Sequence, residues 1–268
     1  MKYKIGDVAK IFGISPDLLR YYEKKGVVHP EKDRDNHYRY YDSWDMNFLA
    51  DCLWFKAYGF GIEQIAHMMT RTGYNELMDT MIQKRSDIQQ TIHMQNLLLG
   101  RCQEYLDEVS SGKAALYQCD LQNSPELVLY LNRHNFSYDK SEDIQNMGQR
   151  WLKYMPFTHR CFEIAQQTLA QGDEDYAWGF SMSMNYVQEF QVPVEPPMIH
   201  LPAQRSIHSV FKSAGKNNFS PRHVDFMLDY ARQNGLTVCG NAHGQLLCSV
   251  LEEDELTGYF EVWIPVEE

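Results

Sequence analysis

The chain has no apolar run long enough for a membrane helix. No stretch approaches the roughly 18–20 apolar residues that cross a bilayer, and residues 1–7 lack the apolar core of a signal peptide. Close cysteine pairs are also missing: the 6 cysteines stand far apart, and no C-x-x-C pair occurs. Scattered thiols in a chain of 268 residues are typical of reduced, cytoplasmic proteins. We therefore expect a cytoplasmic protein without a membrane span rather than a secreted disulfide scaffold.

Net positive charge is missing as well, because the formal net charge of the chain is −11 at pH 7. Residues 1–70 contain ten Lys/Arg and ten Asp/Glu, whereas residues 114–268 contain ten and twenty. Phosphate binding requires local positive charge, so only the N-terminal part is compatible with binding nucleic acid. The acidic C-terminal part favours a neutral or cationic ligand.

Two short helices are predicted near the start of the chain. Residues 5–12 carry apolar side chains on one helical face and are followed by Gly13. Ser15 as N-cap and Pro16 at the first helical position begin a second helix, which stops at Gly26. Two short helices joined by a tight turn are a helix-turn-helix candidate. This part is completed by a charged loop at 32–36, an aromatic strand at 38–41 and helices at 43–58 and 61–72.

A long helix is predicted from Tyr74 to about Ser111, because this stretch has no proline and only one glycine, Gly100. Its apolar residues repeat with a 4-3 spacing that is typical of a coiled coil. Packing on the chain's own domain remains an alternative, but the polar outer faces favour a two-chain, antiparallel coiled coil and hence a homodimer. The coiled-coil seam comprises Met81, Arg85, Ile88, Ile92, Gln95, Leu99, Cys102, Leu106 and Val109.

Residues 110–113 are predicted to break the long helix. Beyond them, strands and helices follow in an order that favours an antiparallel sheet with helices on one face. The predicted fold is thus multidomain, α and α+β: a winged helix-turn-helix domain at 1–73, a coiled-coil dimerisation helix at 74–112 and a further domain at 113–268. In the last domain the predicted strands are 126–131, 176–190, 197–211, 245–251 and 259–266, and the predicted helices are 143–171 and 220–234.

One block of the N-terminal part reads Arg20-Tyr21-Tyr22-Glu23-x-x-Gly26-Val27-Val28-x-Pro30 and is followed by Arg34-x-x-x-Tyr38-Arg39-x-Tyr41. This pattern closely resembles the MerR family of transcription regulators, over residues 3–72. The resemblance implies a homodimer on a palindrome of double-stranded promoter DNA between the −35 and −10 elements. It also implies that the effector-bound dimer bends and untwists this spacer, so that RNA polymerase holoenzyme engages both elements. DNA deformation on the order of a few kcal/mol makes this plausible.

The second helix of the motif is the predicted recognition helix, whose first turns enter the major groove. Its polar and guanidinium groups suit bases and phosphates, and the tip of the hairpin wing suits a neighbouring phosphate. Tyr22 and Tyr41 are equally compatible with the core, and Glu23 with a structural role. The predicted DNA-contacting residues are Ser15, Asp17, Arg20, Tyr21, Lys24, Tyr38, Arg39 and Lys56.

The C-terminal part resembles the gyrase-inhibitor-like effector-binding domain of multidrug-sensing members of this family, through residues 201–205 and 260–266. The resemblance implies two strand-helix-strand units whose sheet curves around an aromatic cleft with a buried carboxylate, and Glu261 matches that acid. Multidrug relatives tend to carry a second acid on the preceding strand, where Gln245 stands in this chain. A different ligand class therefore stays open.

Alternation along the strands independently predicts aromatic walls, since residues 176–180 and 259–263 carry rings or an acid at every second position. Rings around a desolvated carboxylate suit a bulky lipophilic cation, although each ring by itself is more often ordinary core. The predicted ligand-binding residues are Glu261, Trp263, Tyr259, Tyr176, Trp178, Phe180, Trp151, Tyr154, Tyr130 and Gln245.

Three other functions compete with a ligand-responsive transcription activator. A metal sensor is disfavoured because Cys119 is the only thiol in the stretch after the dimer helix, and no metal or other cofactor is expected. A small-molecule hydrolase would use Glu261 as a general base, with water held by His243, Gln245 or Tyr186. A DNA-bending protein without a ligand leaves Glu261 unexplained. We expect a regulator and not an enzyme.

Overall fold

The computed structural model describes residues 2–34, 38–216 and 218–267. The chain divides into two compact units, Met1–His93 and Met94–Glu268. Within the described residues, no helix combines the length and the apolar character that a bilayer crossing requires.

The N-terminal unit contains the predicted helix-turn-helix. Gly13, in the left-handed region at φ 67°, ends the first helix, and the Ser15 side chain caps the second by accepting a hydrogen bond from the Leu18 amide at 3.1 Å. A small sheet in the order β1-β3-β2 forms the wing. The elements are β1 (Tyr3–Lys4), α1 (Ile5–Phe12), α2 (Pro16–Lys24), β2 (Glu31–Lys32), β3 (Arg39–Tyr41), α3 (Ser43–Ala57) and α4 (Ile62–Arg71).

One apolar cluster holds these elements together. Tyr22 and Tyr41 lie fully inside it, so their alternative reading as core residues is the one that the structure supports. Leu19, Leu49 and Ile65 connect α2, α3 and α4 in the same cluster, and each buried side chain of this size contributes about 1.5–3 kcal/mol to folding. The core fixes the orientation in which α2 presents its outer face.

The long helix, α5, spans Tyr74–Ala114 and therefore continues through residues 110–113, where the sequence predicts a break. Gly112 explains the difference, because a Cβ at this position would collide with Leu247. The glycine serves close packing between the helix and the sheet and does not end the helix. Along the coiled-coil seam, Ile88, Ile92 and Leu99 are exposed in the single chain.

The C-terminal unit is built on an antiparallel sheet in the order β4-β10-β13-β12-β7-β8-β5-β6, with β11 pairing β13 and β9 pairing β5. Together with α5 this confirms the predicted mixed fold class. The strands are β4 (Asp120–Asn123), β5 (Leu127–His134), β6 (Ser137–Tyr138), β7 (His159–Ile164), β8 (Ala177–Ser183), β9 (Ile199–Leu201), β10 (Arg205–Ala214), β11 (Thr237–Val238), β12 (Ala242–Glu252) and β13 (Glu255–Glu267).

Helices α6 (Glu142–Trp151) and α9 (Asp225–Gln233) pack on one face of this sheet. Met147 and Trp151 of α6 contact a cluster with Met182, and Met227 of α9 contacts a second cluster with Phe162. Two short helices, α7 (Gln166–Gln171) and α8 (Met184–Glu189), complete the unit. The opposite face of the sheet is left for the cleft described below.

Three predicted elements of this unit are wrong in their extent. The predicted helix at 143–171 ends at a short turn at Leu152–Tyr154, because Pro156 follows, and β7 then begins. The predicted strand at 176–190 turns into α8 after Ser183. The predicted strand at 197–211 is divided by Pro202, which cannot donate to the ladder, into β9 and β10.

Candidate DNA-binding surface and ligand cleft

The outer face of α2 carries four of the predicted DNA-contacting side chains. Asp17 and Arg20 form an ion pair one turn apart, and both side chains are more than half exposed, at 88% and 53%. Tyr21 and Lys24 are also exposed on this helix. Ser15 is exposed too, although its hydroxyl is engaged as the N-cap. The helix therefore presents hydroxyl, carboxylate, guanidinium and ammonium groups on one solvent-facing side.

Glu23 connects the wing to α2. Its carboxylate accepts a hydrogen bond from Arg39 Nε at 2.6 Å and lies 3.4 Å from Lys32 Nζ. The hydrogen bond to Glu23 raises the pKa of Arg39. Tyr38 is exposed beside it. Asp35 and Asn36 of the predicted charged loop lie outside the described residues.

Lys56 is exposed in the last turn of α3. The contacts of Glu23 support its structural role, because it ties the side chain of Arg39 to α2. The other basic side chains that the sequence predicts to contact DNA remain solvent-facing.

The C-terminal unit has an acidic cleft of about 350 Å³ on the sheet face opposite α6 and α9. Alternation along β12 and β13 turns Gln245, Glu261 and Trp263 into this cleft, so three predicted ligand residues come together there. Phe157 adds an aromatic wall that the sequence did not indicate, and Tyr186, which the hydrolase alternative names beside Glu261, adds another. We call this site the acidic cleft; its further lining residues are Glu104, Glu108, Gln122, Asn123, Pro125, Leu127, His159 and Ser183.

A histidine that the sequence analysis did not identify holds Glu261. The Nε2 atom of His208 lies 2.8 Å from Glu261 Oε1, and its Nδ1 atom lies 2.9 Å from Asp120 Oδ1. Burial alone would lower the pKa of His208, but hydrogen bonds and charge attraction from the two carboxylates outweigh burial and raise it. The imidazole also faces Trp263, with ring centroids 5.7 Å apart. Protonated His208 therefore offsets part of the negative charge of this carboxylate pair.

Gln245 is buried and donates a hydrogen bond to Ser181 Oγ at 2.8 Å. The position at which multidrug relatives tend to carry a second acid is therefore occupied by a neutral, satisfied amide. Among the lining residues of the acidic cleft, Glu261 is the acid that comes from the sheet.

Helix α5 supplies the other acids of the cleft. Glu104 accepts a hydrogen bond from Tyr186 Oη at 2.7 Å. Glu108 accepts two hydrogen bonds at 3.0 Å from the buried guanidinium of Arg101 and lies 3.3 Å from His159 Nε2. Burial would raise the pKa of Glu108, but hydrogen bonds from His159 and Arg101 lower it overall. The sequence does not predict these acids as ligand residues, because Glu104 belongs to the polar outer face of the predicted coiled coil and Glu108 lies one turn further along the same helix.

The remaining predicted ligand residues do not join Glu261. Tyr176 and Trp178 are buried in the core cluster of α9 on the opposite face, and Tyr154 packs with Phe190. The predicted alternation around β8 is present, but it turns the side chains of Tyr176 and Trp178 toward α9 and away from Glu261. A separate cavity of about 350 Å³ is lined by Tyr130, Trp151 and Phe180.

Tyr259 shares the strand face of Glu261 but lines another cavity, of about 200 Å³, near the end of α5. Its hydroxyl donates to Glu252 Oε1 at 2.6 Å, which raises the pKa of Tyr259 to about 12. His243 lies outside the acidic cleft, and burial lowers its pKa to about 4. In the part of the chain that the structure describes, no three His, Cys, Asp or Glu side chains are arranged to hold a metal ion.

The chain resembles several known regulators. It is 31% identical over 84 residues to the HTH-type transcriptional activator mta of Bacillus subtilis, covering 31% of this chain and 33% of that protein. It is 26% identical to the transcriptional regulator BrlR of Pseudomonas aeruginosa, covering 79% of each chain. A solved EcmrR–DNA complex is 20% identical, with a TM-score of 0.38 over 99% of this chain and 100% of that one.

The family match lies at the N-terminus. The chain spans only 33% to 48% of the length of the first curated relatives that it matches. The family described as MerR HTH family regulatory protein matches residues 3–72, the same residues that fold into α1 to α4 and the wing. Residues 3–72 of this chain are therefore a helix-turn-helix domain of the MerR family of regulatory proteins.

Proposed function

We propose that the protein is a ligand-responsive transcription activator that binds double-stranded promoter DNA as a homodimer. The observation that carries this proposal is the MerR-family domain at 3–72, in which α2 presents exposed polar and basic side chains. The named relatives are transcriptional regulators, one of them an activator. The proposal includes a cytoplasmic location, where promoter DNA and RNA polymerase are found.

In this proposal α2 enters the major groove and Arg20 contacts base edges or phosphates. Lys24, Tyr38 and Lys56 contact the sugar–phosphate backbone, which sets the register of the helix. Arg39 has two tasks, since its Nε binds Glu23 at 2.6 Å while the rest of its guanidinium is available to a phosphate. The Glu23 contact orients the wing before DNA arrives.

The second copy is proposed to cover the coiled-coil seam of α5. Ile92, Leu99 and Leu106 are 55%, 70% and 62% exposed in the single chain, and their spacing suits a helix of the partner. A dimer would present two recognition helices to a palindrome. Such pairing offsets the modest affinity expected of a domain with balanced charge.

The effector is proposed to be a lipophilic cation bound in the acidic cleft. Glu261 and Glu104 supply negative charge, whereas the charge of Glu108 is compensated by Arg101, and Trp263, Phe157 and Tyr186 supply rings. Binding would favour the DNA-bound state that bends and untwists the promoter spacer, allowing RNA polymerase holoenzyme to engage both promoter elements.

The test uses tetraphenylphosphonium as the cation. Titration of the full chain should quench tryptophan fluorescence through Trp263, and Glu261→Gln should weaken binding at least tenfold, equivalent to about 1.4 kcal/mol. Glu267→Gln, on the same strand but exposed at its end, is the matched control and should bind as the parent does. Saturable binding that is insensitive to Glu261→Gln contradicts the assigned cleft.

The regulatory part is tested with DNA selected by the protein from random-sequence duplexes and placed between promoter −35 and −10 elements. Tetraphenylphosphonium should increase transcript in a reconstituted reaction only when the protein is present. Failure to select any sequence contradicts the regulator proposal. Chemical consumption of a hydrolysable ligand by the purified chain would instead support the hydrolase alternative, with Glu261 as general base.

A further inference from the structure

The C-terminal unit has a second polar cavity, on the sheet face opposite the acidic cleft. Leu246 and Phe260, the chain neighbours of Gln245 and Glu261, line it, so strand alternation separates the two sites. The cavity measures about 210 Å³. We call it the arginine cavity because Arg133 and Arg160 both border it.

Both guanidiniums of this cavity lie beside one indole. The Cζ atoms of Arg133 and Arg160 are 5.2 Å and 5.3 Å from the centroid of the Trp178 ring. Sheet register produces this arrangement, because Arg133 on β5 stands opposite Trp178 on β8 while Arg160 lies on the neighbouring β7. Two positive charges are thus concentrated around a single buried ring.

Among the described residues, neither Arg133 nor Arg160 forms an ion pair with a carboxylate oxygen within 4.0 Å. The Nε atom of Arg133 and the Nε1 atom of Trp178 are buried without a hydrogen-bond partner. Both groups can only donate. Buried donors that lack an acceptor are costly, and an anion is the ligand that would satisfy them.

Aromatic rings form the rest of the wall. Phe136, Tyr176 and Phe219 line the cavity together with Trp178, and Phe219 lies 4.8 Å from Trp178 between ring centroids. Flat apolar walls favour a planar ligand. The volume of about 210 Å³ is below the roughly 300–1,000 Å³ of sites for drug-sized molecules, so one or two fused rings fit.

We propose that the arginine cavity binds an aromatic carboxylate of one or two rings. The carboxylate lies between the guanidiniums of Arg133 and Arg160, and the ring system packs against Trp178 and Phe219. This site has the opposite charge preference to the acidic cleft. The domain accordingly has two ligand sites, one for a cation and one for an aromatic acid, on opposite faces of one sheet.

The test is isothermal titration of the full chain with 2-naphthoate, and 2-naphthamide serves as the neutral ligand of the same shape. We expect saturable binding of one 2-naphthoate per chain and at least tenfold weaker binding of the amide. Arg160→Gln, at an exposed position, should weaken 2-naphthoate binding at least tenfold, and Arg133→Gln should do the same. Arg150→Gln on α6, another exposed arginine, is the control and should leave binding unchanged.

Thermal unfolding of each variant shows whether it is folded, and Arg160→Gln decides the question if Arg133→Gln does not fold. Equal binding of acid and amide, or 2-naphthoate binding that ignores Arg160→Gln, overturns the proposal, as does absence of saturable binding. Glu261→Gln should leave 2-naphthoate binding unchanged. This result separates the arginine cavity from the acidic cleft, so that either assignment can fail without the other.

Discussion

At the scale of single residues, the charge of the acidic cleft depends on the proton of His208. This imidazole lies within 2.9 Å of one oxygen each of Asp120 and Glu261. When His208 is protonated, the three groups together carry one negative charge. When it is neutral they carry two, and a cation gains more from the cleft.

We therefore predict that tetraphenylphosphonium binds more tightly as pH rises through the raised pKa of His208, by about tenfold, or about 1.4 kcal/mol. His208→Gln should remove most of this dependence, as measured by fluorescence titration between pH 6 and pH 9. His200→Gln, a surface histidine paired with Glu126, is the matched control and should retain it. A parent whose affinity does not change with pH contradicts the prediction.

The same group gives a stability signature of definite sign. Because the pKa of His208 is raised in the folded state, its protonation stabilises the fold fully below the unfolded pKa of about 6.5. This stabilisation is lost as pH rises through the folded pKa. The difference in free energy of unfolding between parent and His208→Gln, measured with urea, should shrink as pH rises. The contribution of His159, which lies beside Glu108 in the same cleft, to the free energy of unfolding is measured separately with His159→Gln.

Part of the acidic cleft is predictable from the sequence, and the rest depends on contacts between residues that are distant in the chain. Strand alternation and the family resemblance both point to Glu261 and Trp263, and the resemblance alone points to Gln245. Alternation does not say which face of the sheet is covered by helices, so Trp178 was placed on the wrong face relative to Glu261. His208 was missed because its partner Asp120 is distant in sequence and meets it only through the β10–β4 register.

At the scale of elements, α5 has two different kinds of surface. Leu77 and Met81 pack on the core of the N-terminal unit, and Gly112 packs on Leu247 in the C-terminal unit. Between them the apolar seam is exposed, as at Ile92 and the residues that follow it. The apolar side chains at both ends of α5 are thus covered by this chain. Those in the middle are exposed, and we propose that the partner copy covers them.

Leu99→Glu should weaken dimer formation at least tenfold, because it places a charge on the seam at a position that is 70% exposed in the single chain. Sedimentation velocity across a concentration series measures the change in mass. Gln90→Glu, on the polar outer side of the same helix, introduces the same charge and should leave the dimer intact. Equal masses for parent and Leu99→Glu would show that this seam is not the interface.

The elements themselves were predicted with uneven success. The four helices of the N-terminal unit and strands β12 and β13 were anticipated because caps, glycines and alternation are local signals. The prediction of one helix over 143–171 is wrong, because Pro156 lies within that segment. The proline in fact ends the helical turn, and residues after it become the central strand β7.

At the scale of the whole molecule, charge is divided between the two ends of the chain. Residues 1–70 are balanced, whereas residues 114–268 carry twenty acidic and ten basic side chains. Acidic surface repels phosphate, so binding to DNA must depend on a few exposed cations in the N-terminal domain. Arg20, whose side chain is 53% exposed on α2, is the cation proposed to reach base edges.

Arg20→Ala should lower affinity for the selected duplex by about 1–3 kcal/mol, measured by fluorescence anisotropy at fixed salt. Arg71→Ala, an exposed arginine at the end of α4, is the control and should change affinity little. An unchanged affinity for Arg20→Ala would show that α2 is not the reading helix. Loss of affinity in both variants would indicate general charge attraction instead.

Helix α5 contributes Glu104 and Glu108 to the cleft while Leu99 and Leu106, within one or two turns of them, remain on its seam. A cation held between Glu261 of the sheet and Glu104 of α5 would tie the helix to the sheet at this point. Successive residues of a helix are rotated by about 100° around its axis. A contact that fixes the rotation of α5 on one side therefore also fixes which side chains face a neighbour. If the effector binds as proposed, occupancy of the acidic cleft would fix the rotation of α5 about its own axis, and with it the side chains that the seam presents to a partner copy.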